Sequence, residues 1–583
     1  LRSEDRAYLL SGTLSTRVYL KQRHSTLSHC LEGQLEPLHT LLYTLGYCQY
    51  PPEMYYLWKL LLQNSPHDSI CGCSIDPVHE EMLQRYYKME TIFEKLLKDV
   101  PCSLSTNKEA QENHLVLFNP HPWEVEAYVE CEVLLRKEKV KEVNFEESKL
   151  VHRRREREEG PVENLKLVAS DGEITPIVLH SKWDTLVETP PHTLPEVFSV
   201  QRCRIAFVAS LPPLGFKSYK ILTLNREREK RLPRSFEDYT LENEFYRLAI
   251  SPQSNLFSLE DKQGKRNIAF QILFEDGGDA GDEYDYSPPE NDELVLSSTI
   301  IPILETAAND LSQKVTMRYE LSIPVSLAPN RKTRSTERVP LPISLEISLP
   351  QRSKQINLCV RLENKAFDHR LRMLFLIPIK DVQLFSGAYF ALLERRPSHG
   401  QSIPQKDFVL LRNAEWCLAI LNKGLQEFQY SQGNGETTLA FTLLRAVGWL
   451  SRDDLLTRKG DAGWPFSTPQ AQCLGNHEFE LALVFGNRQS DPWLGIKEAL
   501  LFNRPPLAFQ VSGNLRSSLI EGFSLLTLDN PYIVMSAFKK SESREEVVLR
   551  LYNPTPERQR CRLLFKQPVL LLKELTLLEE ESR

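Results

Sequence analysis

A chain of 583 residues is too long for one hydrophobic core and is expected to hold three or four domains. With 41% apolar residues, 26% charged residues and a net charge of −7, it reads as an ordinary globular protein without a basic stripe for nucleic acid. No run approaches the roughly eighteen apolar residues of a membrane span. The eleven cysteines follow no framework spacing, which favours reduced thiols in a cytoplasmic protein over a secreted disulfide scaffold.

The opening Leu1-Arg-Ser-Glu-Asp-Arg6 has no initiator methionine and no targeting character, and reads as the middle of a longer chain. From Val18 to Leu45, apolar residues recur at helical spacing, and Gly46 marks the stop. Arg17 and Lys21 read as part of a solvated helix face. Met54, Leu57, Trp58, Leu61 and Leu62 give a second helix over Glu53 to Gln63, ending near Pro66. Asp76-Pro77 reads as an N-cap followed by proline at the first helical position, opening a third helix to about Lys98. Three such helices with short links predict an antiparallel bundle.

Near residue 113 the hydrophobic period changes from 3.6 to 2. His114 to Phe118 and Val125 to Val133 read as strands around a Pro-rich turn, in which Trp123 plugs a core. Arg153 to Glu159 reads as a solvated charge block. Alternation resumes at Leu241 and continues to about residue 490, without the recurring helices of βαβ units. The expected class is α+β multidomain, an N-terminal three-helix bundle followed by antiparallel β-sandwich domains. The expected division is a helical bundle over 1–105, a small β domain over 106–235, a large β-sandwich over 236–500, and a C-terminal β segment over 501–583 that packs with the small β domain.

Three stretches carry candidate chemistry. Ser65 to Ile75 is a polar turn between two helices, holding His67, Asp68, Cys71 and Cys73. The strong zinc spacings put two to four residues between cysteines, so Cys71 and Cys73 read as turn and packing residues. Glu275 to Pro289 is acidic, glycine-rich and aromatic, but Asp276, Asp279 and Asp282 are spaced by three, which does not fit an EF-hand. Thr442 to Gly463 contains Arg445, Asp453, Asp454 and Arg458, a set suited to fixing a loop by charge-assisted hydrogen bonds.

The stretch Trp58 to Pro77, with its His67-Asp68 pair and Gly72-Cys-Ser74 turn, resembles the signature of the glycoside hydrolase family 38 α-mannosidases, and Cys71-Gly72-Cys73 resembles the bacterial branch that includes mannosylglycerate hydrolases. The resemblance implies that His67 is a ligand of a catalytic Zn2+ and that Asp68 contacts the sugar. It implies substrate contacts for Tyr284, or less so Tyr286, on the acidic loop and for Arg445. Members carry the remaining zinc ligands and the nucleophile on an α/β domain ahead of the bundle, so no catalytic nucleophile is expected in this chain. The implied protein is the helical and β portion of a retaining α-mannosidase, inactive by itself, acting on mannosylglycerate or mannose-containing oligosaccharides. Its expected partners are an α-mannoside, the upstream catalytic domain and, in a homo-oligomer, further copies of itself; no nucleic acid or membrane is expected. The competing class is a non-enzymatic, β-rich carbohydrate-binding protein.

Overall fold

The computed structural model describes residues 10–107, 112–139, 163–188, 196–227, 234–397, 401–433, 435–487, 493–570 and 572–581. The charge block at 153–159 and the first six residues lie outside them.

The chain enters through helix α1 (Val18–Cys30), one π turn (Leu31–Leu35) and α2 (Glu36–Thr44) in unbroken succession. Pro37 cannot donate to the carbonyl of Gly33 one turn back, and the wider turn sits just there. A side chain at Gly33 would put its Cβ 2.1 Å from Cδ of Arg504, so the bare backbone also admits that arginine. Gly46, at φ 68°, ends the stretch by donating to the Tyr43 carbonyl. Helix α3 (Glu53–Gln63), the single turn α4 (His67–Ile70) and the long α5 (Asp76–Leu104) follow. Leu27, Leu31, Leu57, Leu61, Tyr86 and Met89 bury the three long helical stretches in one core. Asp76 is not the cap the sequence suggests: Ile75 is the N-cap, and the Asp76 carboxylate is drawn to Arg17 instead.

After residue 113 strands dominate, and every strand pair among the described residues is antiparallel. Two nine-stranded sheets between Thr240 and Asn487 face each other across one core, with Phe257 and Phe270 meeting Ile347, Leu358 and Phe479. The strands that position the candidate site lie together in the first sheet. They are β1 (Arg266–Gly278), β2 (His369–Ile377) and β3 (Glu436–Ala446), paired so that Gly278 faces His369 and Arg370 faces Arg445. The smaller sheets at 113–227 enclose a second core, with Trp123 half-buried against it. Leu507–Ser512 adds a strand beside Asn113–Asn119, so a C-terminal segment completes the sheet that an earlier segment begins. Trp493–Asn503 is a helix across the expected boundary at 500 between the β-sandwich and the C-terminal β segment; its apolar residues are taken up by the strands at 408–421 and 482–484. No described helix is long and apolar enough to cross a membrane.

Candidate active site cleft

The site forms where the turn between α3 and α5 meets the loop leaving β1. The turn closes on itself: Ser69 and Ile70 donate to the Pro66 carbonyl, Cys71 to that of His67, and Gly72 to that of Ser69. Gly72 has φ 75°, and a Cβ there would lie 2.9 Å from Lys21 Nζ and 3.0 Å from the Thr16 carbonyl oxygen. Only glycine fits both the conformation and the space. His67 and Asp68 project outward from this anchored turn, 87% and 77% exposed, with Nε2 of the histidine 3.3 Å from Oδ1 of the aspartate.

The anchor is a buried cation pair that a reading of solvated charges missed. Arg17 and Lys21 are 0% and 1% exposed. Arg17, in the left-handed region at φ 49°, donates from Nη2 to Glu283 (2.7 Å) and Asp76 (2.5 Å), and from Nε to the Gly72 carbonyl (3.2 Å). Lys21 donates to the carbonyls of Thr16 and Cys71, the latter at 2.8 Å. One guanidinium thus ties the turn, the foot of α5 and the β1 loop together. Burial pushes the Glu283 carboxyl up to about 7 against the pull of Arg17, and pulls the Lys21 ammonium down to about 8. The Cys73 thiol, hydrogen-bonded to Cys71, holds the Cys71 thiol down at about 6 with help from Lys21, while Cys73 itself is pushed up.

The carboxylates of the acidic loop are turned inward onto arginines. Asp276, Asp279, Asp282 and Glu283 are all fully buried, and each meets its own arginine: Arg334, Arg445, Arg458 and Arg17 respectively. Asp276 also pairs with His369 at 2.6 Å. Asp279 and Asp282 accept backbone N–H groups of Gly281, Ser287, Tyr284 and Asp285, which curls the loop tightly. The spacing of three is therefore a spacing of arginine partners. Among the described residues no three His, Cys, Asp or Glu side chains are grouped to hold a metal ion.

Tyr284 sits at the curled tip, half-buried, its hydroxyl packed so that a Cβ on Gly463 would lie 3.0 Å from it. Burial pushes its phenol up to about 12, with the carboxylates of Glu283 and Asp68 adding to the shift. Tyr286 turns the other way, its ring under the guanidinium of Arg370 at 3.4 Å. Arg445 does not reach the surface. It is 0% exposed, and its three nitrogens are all engaged: Nε with Asp279 (2.7 Å), Nη1 with the Gly12 carbonyl and Thr16, Nη2 with the carbonyls of Asp282 and Asp285. Those last two carbonyls bracket Tyr284, so the expectation of a direct sugar contact gives way to a role behind the loop. Arg458 clamps the same loop from outside through Asp282 and Asp285, both at 2.6 Å, and Arg452 pairs with Asp454. Asp453 stays exposed.

Comparison with known proteins gives three family matches. Residues 8–101 match the alpha mannosidase middle domain, residues 241–455 the glycosyl hydrolases family 38 C-terminal domain, and residues 532–583 the family 38 C-terminal beta sandwich domain. A curated relative from Halalkalibacterium halodurans, described as "Putative mannosylglycerate hydrolase", is 26% identical over 608 residues, covering 98% of this chain and 65% of its own length. The chain thus spans about two thirds of that relative. The crystal structure of an alpha-mannosidase from Enterococcus faecalis superposes with a TM-score of 0.88 at 23% identity, over 100% of this chain and 67% of that one. A second Enterococcus faecalis structure, of a protein in the glycosyl hydrolase family 38, gives 0.85 at 23% identity over 98% and 68%. At these identities the structures establish the shared fold.

Proposed function

Since the chain belongs to glycosyl hydrolase family 38, carrying its middle, C-terminal and C-terminal beta sandwich domains, we propose that it supplies one wall of a site that cleaves α-mannosides, mannosylglycerate among them. The observation that carries this reading is the exposure of His67 and Asp68 on an otherwise clamped turn. An imidazole and a carboxylate held outward by buried arginine and lysine contacts are placed to engage something beyond the described residues.

His67 has the chemistry of a zinc ligand, but one imidazole does not make a zinc site, and no described group of three completes it. The remaining ligands and the nucleophile of a retaining mechanism come, in this reading, from the α/β domain that family members place ahead of the helices. No catalytic step is assigned to the residues of this chain. Their part is positional: Asp68 accepts hydrogen bonds from sugar hydroxyls, the Tyr284 phenol offers a neutral donor at neutral pH, and Arg445 keeps the loop under Tyr284 in place. The division of the chain into a helical domain, two β domains and a C-terminal segment that completes the smaller one is part of the same proposal.

Variants of the chain joined to a family 38 α/β domain test the assignment. His67→Ala is expected to lose bound zinc and hydrolysis of an aryl α-mannoside together, and Asp68→Ala to lose hydrolysis while zinc stays. Retention of stoichiometric zinc by His67→Ala would overturn the ligand assignment.

A further inference from the structure

We propose that the cavity between α1, α5 and the large β-sandwich binds a small amphipathic cation, an aryl or alkyl ammonium whose apolar body lies against the helices. The cavity has a volume of about 480 Å³, inside the range of roughly 300–1,000 Å³ that small-molecule sites occupy. It lies apart from the His67-Asp68 turn, because Glu90, its first residue on α5, is roughly 20 Å along that helix from Asp76. Helix α1 contributes Leu27 and Cys30, α5 contributes Phe93 and Leu97, and Leu507 joins them from the strand Leu507–Ser512. Leu27 and Phe93 also belong to the buried core of the bundle, so the apolar wall is fixed by packing behind it.

Two features of the polar lining select the same guest. Gln34 is only 5% exposed; its amide nitrogen donates to the Pro505 carbonyl at 2.6 Å, while its amide oxygen accepts no hydrogen bond among the described residues. A buried acceptor of this kind calls for a donor. The lining also carries four carboxylates, Glu90, Glu94, Glu478 and Glu480, against two cations, Arg23 and Lys423. Both cations are engaged: Arg23 donates to Glu90 from Nε at 3.1 Å and from Nη2 at 2.8 Å, and Lys423 to Glu480 at 2.7 Å. Glu94 and Glu478 are left in excess, their partners Lys98 and Arg361 standing in solvent outside the lining. An ammonium group is drawn in by that surplus and supplies the missing N–H, whereas an anion is repelled. Bundle and sandwich share the cavity, so an occupant ties the two together.

Cys30 reads occupancy directly, since it lines the cavity and is partly exposed. The probe is naphthylmethylammonium, compared with neutral naphthalenemethanol and anionic naphthoate. The chain is treated with methyl methanethiolsulfonate at rising probe concentration, and the tryptic peptide His24–Lys59 is mapped by mass. The same peptide contains Cys48, which is partly exposed and outside the cavity, as an internal control. Modification of Cys30 should slow about tenfold once the amine stands about ten times above its Kd, because the free fraction falls as 1/(1 + [L]/Kd), and Cys48 should be unaffected. Naphthoate should protect least. Thr26→Trp, which fills an exposed lining position, should abolish protection by the amine, and Glu94→Gln with Glu478→Gln should weaken it while leaving that by the alcohol unchanged. The proposal is overturned if naphthoate protects Cys30 as well as the amine does, or if the amine gives no saturable protection. It is also overturned if Cys30 is shielded in the free chain and becomes reactive on dilution, the mark of a second copy seated on the cavity.

Discussion

Arg17→Met tests how the exposed pair is held. The substitution keeps most of the side-chain volume and removes the hydrogen bonds to Glu283, Asp76 and Gly72. Glu283 is fully buried, and its Oε2 has no hydrogen-bond partner even with Arg17 present, so the variant leaves a buried carboxyl with no guanidinium beside it. Removing one partner of a buried pair costs about 3–5 kcal/mol. Asp76, 14% exposed, adds less, within about 1 kcal/mol, because water replaces its partner. The loss falls on the contact between the turn and the β1 loop. At 1.4 kcal/mol per tenfold, amide hydrogen exchange within 66–74 and 280–286 should therefore accelerate about a hundred- to a few-thousand-fold. Protection in the far sheet, at 343–348 and 356–362, should be unchanged. Glu283→Gln alone should cost less, and the double variant should recover part of the loss, a coupling of about 2 kcal/mol or more. An Arg17→Met effect below about 1 kcal/mol, the size expected of a surface pair, would refute the clamp.

Glu283 also predicts a pH dependence. Its folded value near 7 lies above the ordinary 4.5, so the stability it contributes is present in full below pH 4.5 and is lost as pH rises through 7. Exchange protection of the loop should fall by up to about 3 kcal/mol between pH 5 and 8, and Glu283→Gln should flatten that profile. Gly72→Ala should cost about 1–3 kcal/mol in the same exchange assay, because it combines positive φ with contact against Lys21 and Thr16. Asp407→Ala should destabilise by about 1–3 kcal/mol in denaturant unfolding at pH 7, since it takes the acceptor from the buried His29 ring, held at 3.0 Å, and from the half-buried Lys406 at 2.7 Å. His67→Ala and Asp68→Ala should leave the melting temperature unchanged, within about 0.5 kcal/mol, because both side chains stand in solvent.

Much of the architecture is legible in the residues because it follows from local patterns. The change of hydrophobic period near residue 113 separates helices from strands, and Gly46 and Pro66 mark where helices stop. The His67-Asp68 turn is legible as a short polar segment between two amphipathic helices. What could not be read is pairing across long separations. Arg17 looks like any charged residue at a helix start until Glu283, 266 positions away, meets it in the core. The same holds for Asp279 and Arg445, whose spacing along the chain reveals nothing of their contact. Asp282 and Arg458 could have been guessed as partners, since an acidic loop and a basic loop without other explanation invite pairing. The helix at 493–503 was hidden for a different reason: it is apolar on every side, so it lacks the one-sided stripe that identifies a surface helix.

The proposed part of this chain, a clamped His67-Asp68 wall of a zinc-dependent mannoside site completed by a family 38 α/β domain, is open to direct test. Zinc content and aryl α-mannoside hydrolysis, measured on residues 1–583 alone and again after joining them to a family 38 α/β domain, test it most directly. The chain alone should hold no stoichiometric zinc and show no turnover, and the joined protein should gain both together. Turnover by the 583-residue chain alone would contradict the claim, since it requires a complete site among these residues.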